Sequence, residues 1–304
     1  MVILVYLKDS FLMRLNTKLL ILALLAFITT SAQEDYEYIG AIKLNDTSFI
    51  SYKINFNEND GLIQGYSITD LGGSHETMSY LSGSFDSEKD EIEFYESGII
   101  YTKSYITQND FCYVHFAGRL KRLDDRQGIQ GSFKGLYDNG ESCINGSIEM
   151  LNFRKVLRRA KRLDKKIDRT ILISKEKRDK VNLVNELERT KINMLKKDEV
   201  LNVFTNDTEI KLRLYDAGQE DGDRISLYIN DSLLLDNYTV SNTPKEISVT
   251  VEEPQTTLLI QALNAGTVGG NTVKLELVLD ESTVVDALTN LKEGEKATLV
   301  LRKR

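Results

Sequence analysis

Apolar and polar side chains alternate with period two along much of this chain, which restricts it to sheets with one buried face. The alternation is plain in Ser48-Phe49-Ile50-Ser51-Tyr52-Lys53-Ile54 and in Ile92-Glu93-Phe94-Tyr95. Asn59-Asp60-Gly61, Gly72-Gly73 and Asp138-Asn139-Gly140 punctuate the stretch from 36 to 150 as tight turns. A short unit recurs there: Ile63-Gln64-Gly65-Tyr66, Leu81-Ser82-Gly83-Ser84, Ile129-Gln130-Gly131-Ser132 and Ile144-Asn145-Gly146-Ser147. Glycine inside a strand marks a bend or the close approach of another backbone. The N-terminal part is therefore expected to be a curved antiparallel meander or a small barrel. Two readings of such a barrel stand. Its interior holds one small ligand, or the glycines serve only to bend the sheet around its own side chains.

From 152 to 199 the pattern changes. Phe153, Val156, Ala160, Leu163 and Ile167 recur at the three- and four-residue spacing of one helical face. A second run holds Val181, Val184, Leu187 and Met194, and the β-branched stretch Thr170-Ile171-Leu172-Ile173-Ser174 is where one long helix would break into two. Residues 154–197 hold 17 Lys and Arg against six Asp and Glu, in a chain of net charge −7. This basic segment reads as a spacer docked against acidic β regions, or as a short coiled coil giving self-association through residues 153–167. A basic helix also suits an anionic lipid surface.

Strand patterns return after 199, in 209–215 and 224–230, with further strands expected at 246–251, 257–263, 272–279 and 297–302. Short strands with polar turns and no intervening helix period predict an antiparallel β-sandwich. The expected fold class is thus mainly β with a helical connector. The expected divisions are a signal peptide at 1–32, an N-terminal antiparallel β domain at 33–151, a basic helical connector at 152–198 and a β-sandwich domain at 199–304.

The expectation of export rests on Arg14 and Lys18 ahead of an apolar core from Leu19 to Phe27, with Thr30-Ser31-Ala32 placing cleavage before Gln33. That core is too short to span a bilayer, and no later stretch is apolar enough to do so. The location expected is the periplasm, outer surface or extracellular space. An oxidising compartment permits a bridge between Cys112 and Cys143, expected in neighbouring strands; two buried thiols are the alternative.

The most concentrated chemistry lies between two good strands, in Tyr215-Asp216-Ala217-Gly218-Gln219-Glu220-Asp221-Gly222-Asp223. Asp216, Glu220, Asp221 and Asp223 offer oxygens of the kind calcium takes, although the spacing is not that of an EF-hand. Asp-Gly turns with solvated acids account for the same residues. The stretch Leu214-Tyr215-Asp216, then Asp221-Gly222-Asp223-Arg224-Ile225-Ser226-Leu227-Tyr228-Ile229-Asn230, then Ala262-Leu263-Asn264-Ala265-Gly266-Thr267 and Asn271-Thr272 resembles a C-terminal β-sandwich module of uncharacterised exported proteins from Bacteroidota. This chain departs from that pattern at Gly269-Gly270, where the module has Pro-Pro. The N-terminal part is similar to exported proteins of the same group through Gly65-Tyr66-Ser67 and Phe111-Cys112-Tyr113. The resemblance implies a fold and a location and no activity.

Catalysis is not expected. The two histidines, His75 and His115, cannot build a three-histidine zinc site. No nucleophile-elbow motif accompanies the serines, and a disulfide would remove the thiol that a Cys-His enzyme needs. Paired-carboxylate hydrolysis is allowed by composition. The absence of tryptophan counts against a sugar-stacking cleft. The reading is a non-catalytic binding or assembly protein of the bacterial envelope, with an envelope protein or a polysaccharide as partner and no nucleic acid. A secreted hydrolase using paired carboxylates in the N-terminal domain and a small-ligand barrel are the rivals.

Overall fold

The structure, a computed structural model, describes residues 35–105, 110–120, 122–123, 128–170, 182–266, 270–279 and 283–304. The expected signal peptide and most of the expected helix break lie outside the described residues.

The N-terminal strands close into an antiparallel barrel. They are β1 (Asp35–Lys43), β2 (Phe49–Asn59), β3 (Leu62–Thr69), β4 (Thr77–Asp86), β5 (Glu91–Thr102), β6 (Tyr113–Arg119), β7 (Gly128–Leu136) and β8 (Ser142–Asn152). Each pairs with its neighbour in sequence, and β8 returns to β1 through Ile39↔Leu151 and Ile42↔Ile148. The interior core includes Tyr38, Ile54, Phe56, Phe94, Phe116 and Ile129. The recurring glycines sit where strands cross most closely. A Cβ on Gly65 would lie 2.0 Å from the Asn55 carbonyl oxygen, and one on Gly83 would lie 2.1 Å from that of Glu93. The β2–β3 turn uses Asp60 and Gly61 at φ of 50° and 81°, the handedness that a two-residue hairpin demands.

The disulfide is present, though not between neighbouring strands. Cys112 precedes β6 and Cys143 lies in β8, with β7 between them. The bridge passes over Gly135 of β7, where a Cβ would meet Cys112 Sγ at 2.4 Å.

Helix α1 (Phe153–Arg169) continues directly from β8 and lies against β1 and β8. Asn152 caps it by accepting the Arg154 amide at 3.0 Å. Phe153 is buried, with Lys191 Nζ 4.8 Å and Lys53 Nζ 5.7 Å from its ring centroid. Helix α2 (Leu183–Arg189) is capped from α1: the Asp164 carboxylate accepts the Leu183 and Val184 amides, each at 3.1 Å. The described residues of the basic segment form these two helices. Of its expected apolar stripe Phe153 and Ala160 are buried and Leu163 is exposed.

Among the described residues ten further strands follow: β9 (Met194–Leu195), β10 (Val200–Thr205), β11 (Glu209–Tyr215), β12 (Arg224–Ile229), β13 (Ser232–Thr239), β14 (Lys245–Thr250), β15 (Gln255–Ala262), β16 (Asn271–Leu279), β17 (Thr283–Leu291) and β18 (Lys296–Lys303). One run, β13-β12-β15-β18-β10, joins the barrel sheet where β10 pairs with the end of β5. The other, β14-β11-β16-β17-β9, is a separate sheet. Leu227, Ile260 and Leu299 of the first and Leu212, Leu275 and Leu277 of the second share one core, joined by Met78 and Tyr101 of the barrel wall. Pairing in this half is not wholly antiparallel, because β10 runs parallel to β18 and β9 parallel to β17. Parallel neighbours need a long crossover. Here nearly the whole C-terminal half supplies it, since β9 and β10 open that half and β17 and β18 close it. No helix among the described residues is long and apolar enough to cross a membrane.

Candidate functional site

The barrel end that carries the β1–β2, β3–β4 and β7–β8 connections opens into a pocket of about 330 Å³. Ile42, Ile50, Ile99, Phe111, Phe133 and Ile144 give it apolar walls. Its polar lining comes from Thr69, Asp70, His75, Thr77, Ser79, Glu96 and Tyr113. The volume is at the small end of the range for ligand pockets, and apolar walls with a few placed polar groups are their usual make-up.

Glu96 is the unusual member. It points inward from β5 and is 6% exposed. Its Oε1 accepts the hydroxyls of Tyr52 at 2.9 Å and Ser67 at 2.5 Å, and its Oε2 accepts the Val114 amide at 2.8 Å. No cation is among these partners. Burial raises its pKa above the usual carboxylate value, and the three donors pull it back only in part. Burial and then the neighbouring Glu96 charge push the Tyr52 phenol well up. The result is a carboxyl held in place at the pocket wall by three donors.

The rim is tied down by its own bonds. Tyr101 donates to Glu76 at 3.0 Å, Thr77 and Thr102 share a bond of 2.7 Å, and His75 Nδ1 lies 3.2 Å from Ser104 Oγ. His115 lies on the outside of the barrel stacked on Tyr95, ring centroids 5.9 Å apart. Among the described residues, the groups hydrogen-bonded to Glu96 are two hydroxyls and an amide, with no second carboxylate.

The acidic loop between β11 and β12 makes a second cluster. Asp216, Asp221 and Asp223 each bring an oxygen to within 4.8 Å of the others. Glu220 does not join them, and accepts the Asn242 amide at 2.6 Å instead. Asp216 and Asp223 are buried. Asp216 Oδ1 accepts the Gly218 amide at 2.7 Å, and Asp223 Oδ2 accepts the Thr272 amide at 2.7 Å. Burial raises the Asp223 pKa, and the charges of Asp221 and Asp216 raise it further. Reading the loop for carboxylates alone overlooks Asn264, Gly266 and Asn271, which the β15–β16 connection brings alongside. Asn264 accepts the Arg224 amide at 2.8 Å, and Gly266 turns at φ +60° against the carboxylates. The available signal was their place in the resembled pattern, where Asn264, Gly266 and Asn271 follow the acidic loop.

Comparison with protein-family models, curated proteins and solved structures gave no match to this chain.

Proposed function

We propose that this is an exported, non-catalytic binding protein whose barrel holds one small molecule at its open end. The observation that carries this reading is the pocket of about 330 Å³ with Glu96 fixed in its wall. The ligand class that fits is a compact apolar body with a hydroxyl or amino donor directed at Glu96, because apolar walls reward burial and a carboxylate accepts. The disulfide beside the mouth supports an oxidising compartment. The two sheets sharing one core support a β-sandwich in the C-terminal half, which serves as the module that places the barrel at the envelope.

The test is a solvent extraction of the chain purified from the envelope fraction of its own host, read by mass spectrometry beside an Ile144→Trp variant. Ile144 stands at the mouth and is 41% exposed, so the larger ring closes the pocket without entering the core. One small molecule near one per chain, missing from the variant, is the expected result. Equal recovery from both, or reproducible turnover of an ester or glycoside by the purified chain, would remove the reading.

A further inference from the structure

The carboxylate cluster is independent of the barrel and has its own chemistry. Three acids converge, and the charges acting on Asp223 are those of the other two. Asp223 is 0% exposed, and while its Oδ2 is held by Thr272, its Oδ1 has no hydrogen-bond partner. That oxygen faces the cluster: a Cβ on Gly266 would lie 2.4 Å from Asp223 Oδ1 and 2.6 Å from Asp221 Oδ2. A second orphan belongs to Asn271, the residue before the Thr272 that holds Asp223. Asn271 is 0% exposed, and its amide nitrogen donates to the Arg224 carbonyl at 2.9 Å and to Asn264 Oδ1 at 3.2 Å. Both of those partners are acceptors, which fixes the amide orientation. Its oxygen is left buried with no partner. Buried oxygens without donors are rare and costly, and buried like charges need a counter-ion.

We propose that Asp216, Asp221 and Asp223 bind one calcium ion, which orders the β11–β12 loop beside Gly266 of the β15–β16 connection. The donors are all hard oxygens, with no nitrogen or sulfur among the three acids, which suits calcium over zinc or copper. Oxygens within 4.8 Å of one another fit around an ion bound at about 2.4 Å. Magnesium needs a tighter octahedron and gives up its water reluctantly. Gly266 is part of the site because any side chain there would occupy the space beside the carboxylates.

Calcium chloride alone is the probe, added to the chelator-treated chain and followed by thermal melting and calorimetric titration. At about 5 mM, calcium raises the melting temperature by about 3 °C or more, with one ion bound per chain, and magnesium does less. Asp221→Asn removes one like charge, so it melts in chelator at or above the wild-type temperature and loses the calcium response. Glu220→Gln keeps the full response. The proposal is overturned if calcium neither binds nor shifts the wild type, or if Asp221→Asn responds as the wild type does.

Discussion

Glu96 shows how much one residue decides. Its carboxylate is the shared acceptor of Tyr52, Ser67 and the Val114 amide, so an apolar replacement strands three buried donors. Glu96→Leu is expected to cost about 3 kcal/mol, measured by urea unfolding. Glu96→Gln behaves differently, because its carbonyl keeps the Val114 amide while its amino group donates to the two hydroxyls, which rotate to accept. The pH dependence follows from the direction of the shift. The folded-state pKa of Glu96 lies above its ordinary value, so the folded chain binds this proton more tightly than the unfolded one. The stability from this group is fully present below the ordinary carboxylate pKa and is lost as pH rises through the raised value. Unfolding free energies at a series of pH values from 4 to 8 should therefore show the wild type losing stability relative to Glu96→Gln as pH rises from acid toward neutrality. A constant difference across that range would contradict the burial argument.

At the scale of the element, the glycines carry the barrel's curvature. Gly65→Ala sets a methyl 2.0 Å from a backbone oxygen of β2, a clash no side-chain rotation relieves. The expected loss is about 3 kcal/mol in chemical denaturation. A loss under about 0.5 kcal/mol would mean that the strands do not cross as closely as described. This much was readable beforehand, since the apolar-x-Gly unit named Gly65, Gly83, Gly131 and Gly146, and Asp60-Gly61 named a hairpin. Other elements escaped because their patterns lack a single buried face. In β13 Leu233 and Leu234 stand half exposed at the sheet edge, so apolar residues follow one another with no alternation. In β17 the outward Val284 and Leu288 blur the period kept by Val285, Ala287 and Leu291. Glu96 keeps step with Ile92 and Phe94 on the inward face of β5, but its role was not legible, because its partners Tyr52 and Ser67 come beside it only when the barrel closes. The three aspartates of the acidic loop were legible as a group. Glu220 was grouped with them because spacing along a loop does not say which way a side chain turns.

Among the described residues, a closed barrel's sheet runs on, through β5 and β10, into a second two-sheet core, and α1 packs on the barrel wall with α2 against it. That continuity depends on β5 being long enough to serve the barrel through Tyr95 and the second core through Tyr101. No local pattern announces such a double duty, since each half of β5 reads as an ordinary strand. The central claim is that the open barrel end binds one small, mainly apolar molecule. The direct measurement is a fluorescence titration with N-phenyl-1-naphthylamine, an apolar body with one donor, against wild type and Ile144→Trp. A single saturable site per chain with dissociation in the micromolar range, lost in the variant, is the result predicted. Binding that never saturates, or that is the same in the two proteins, would contradict it.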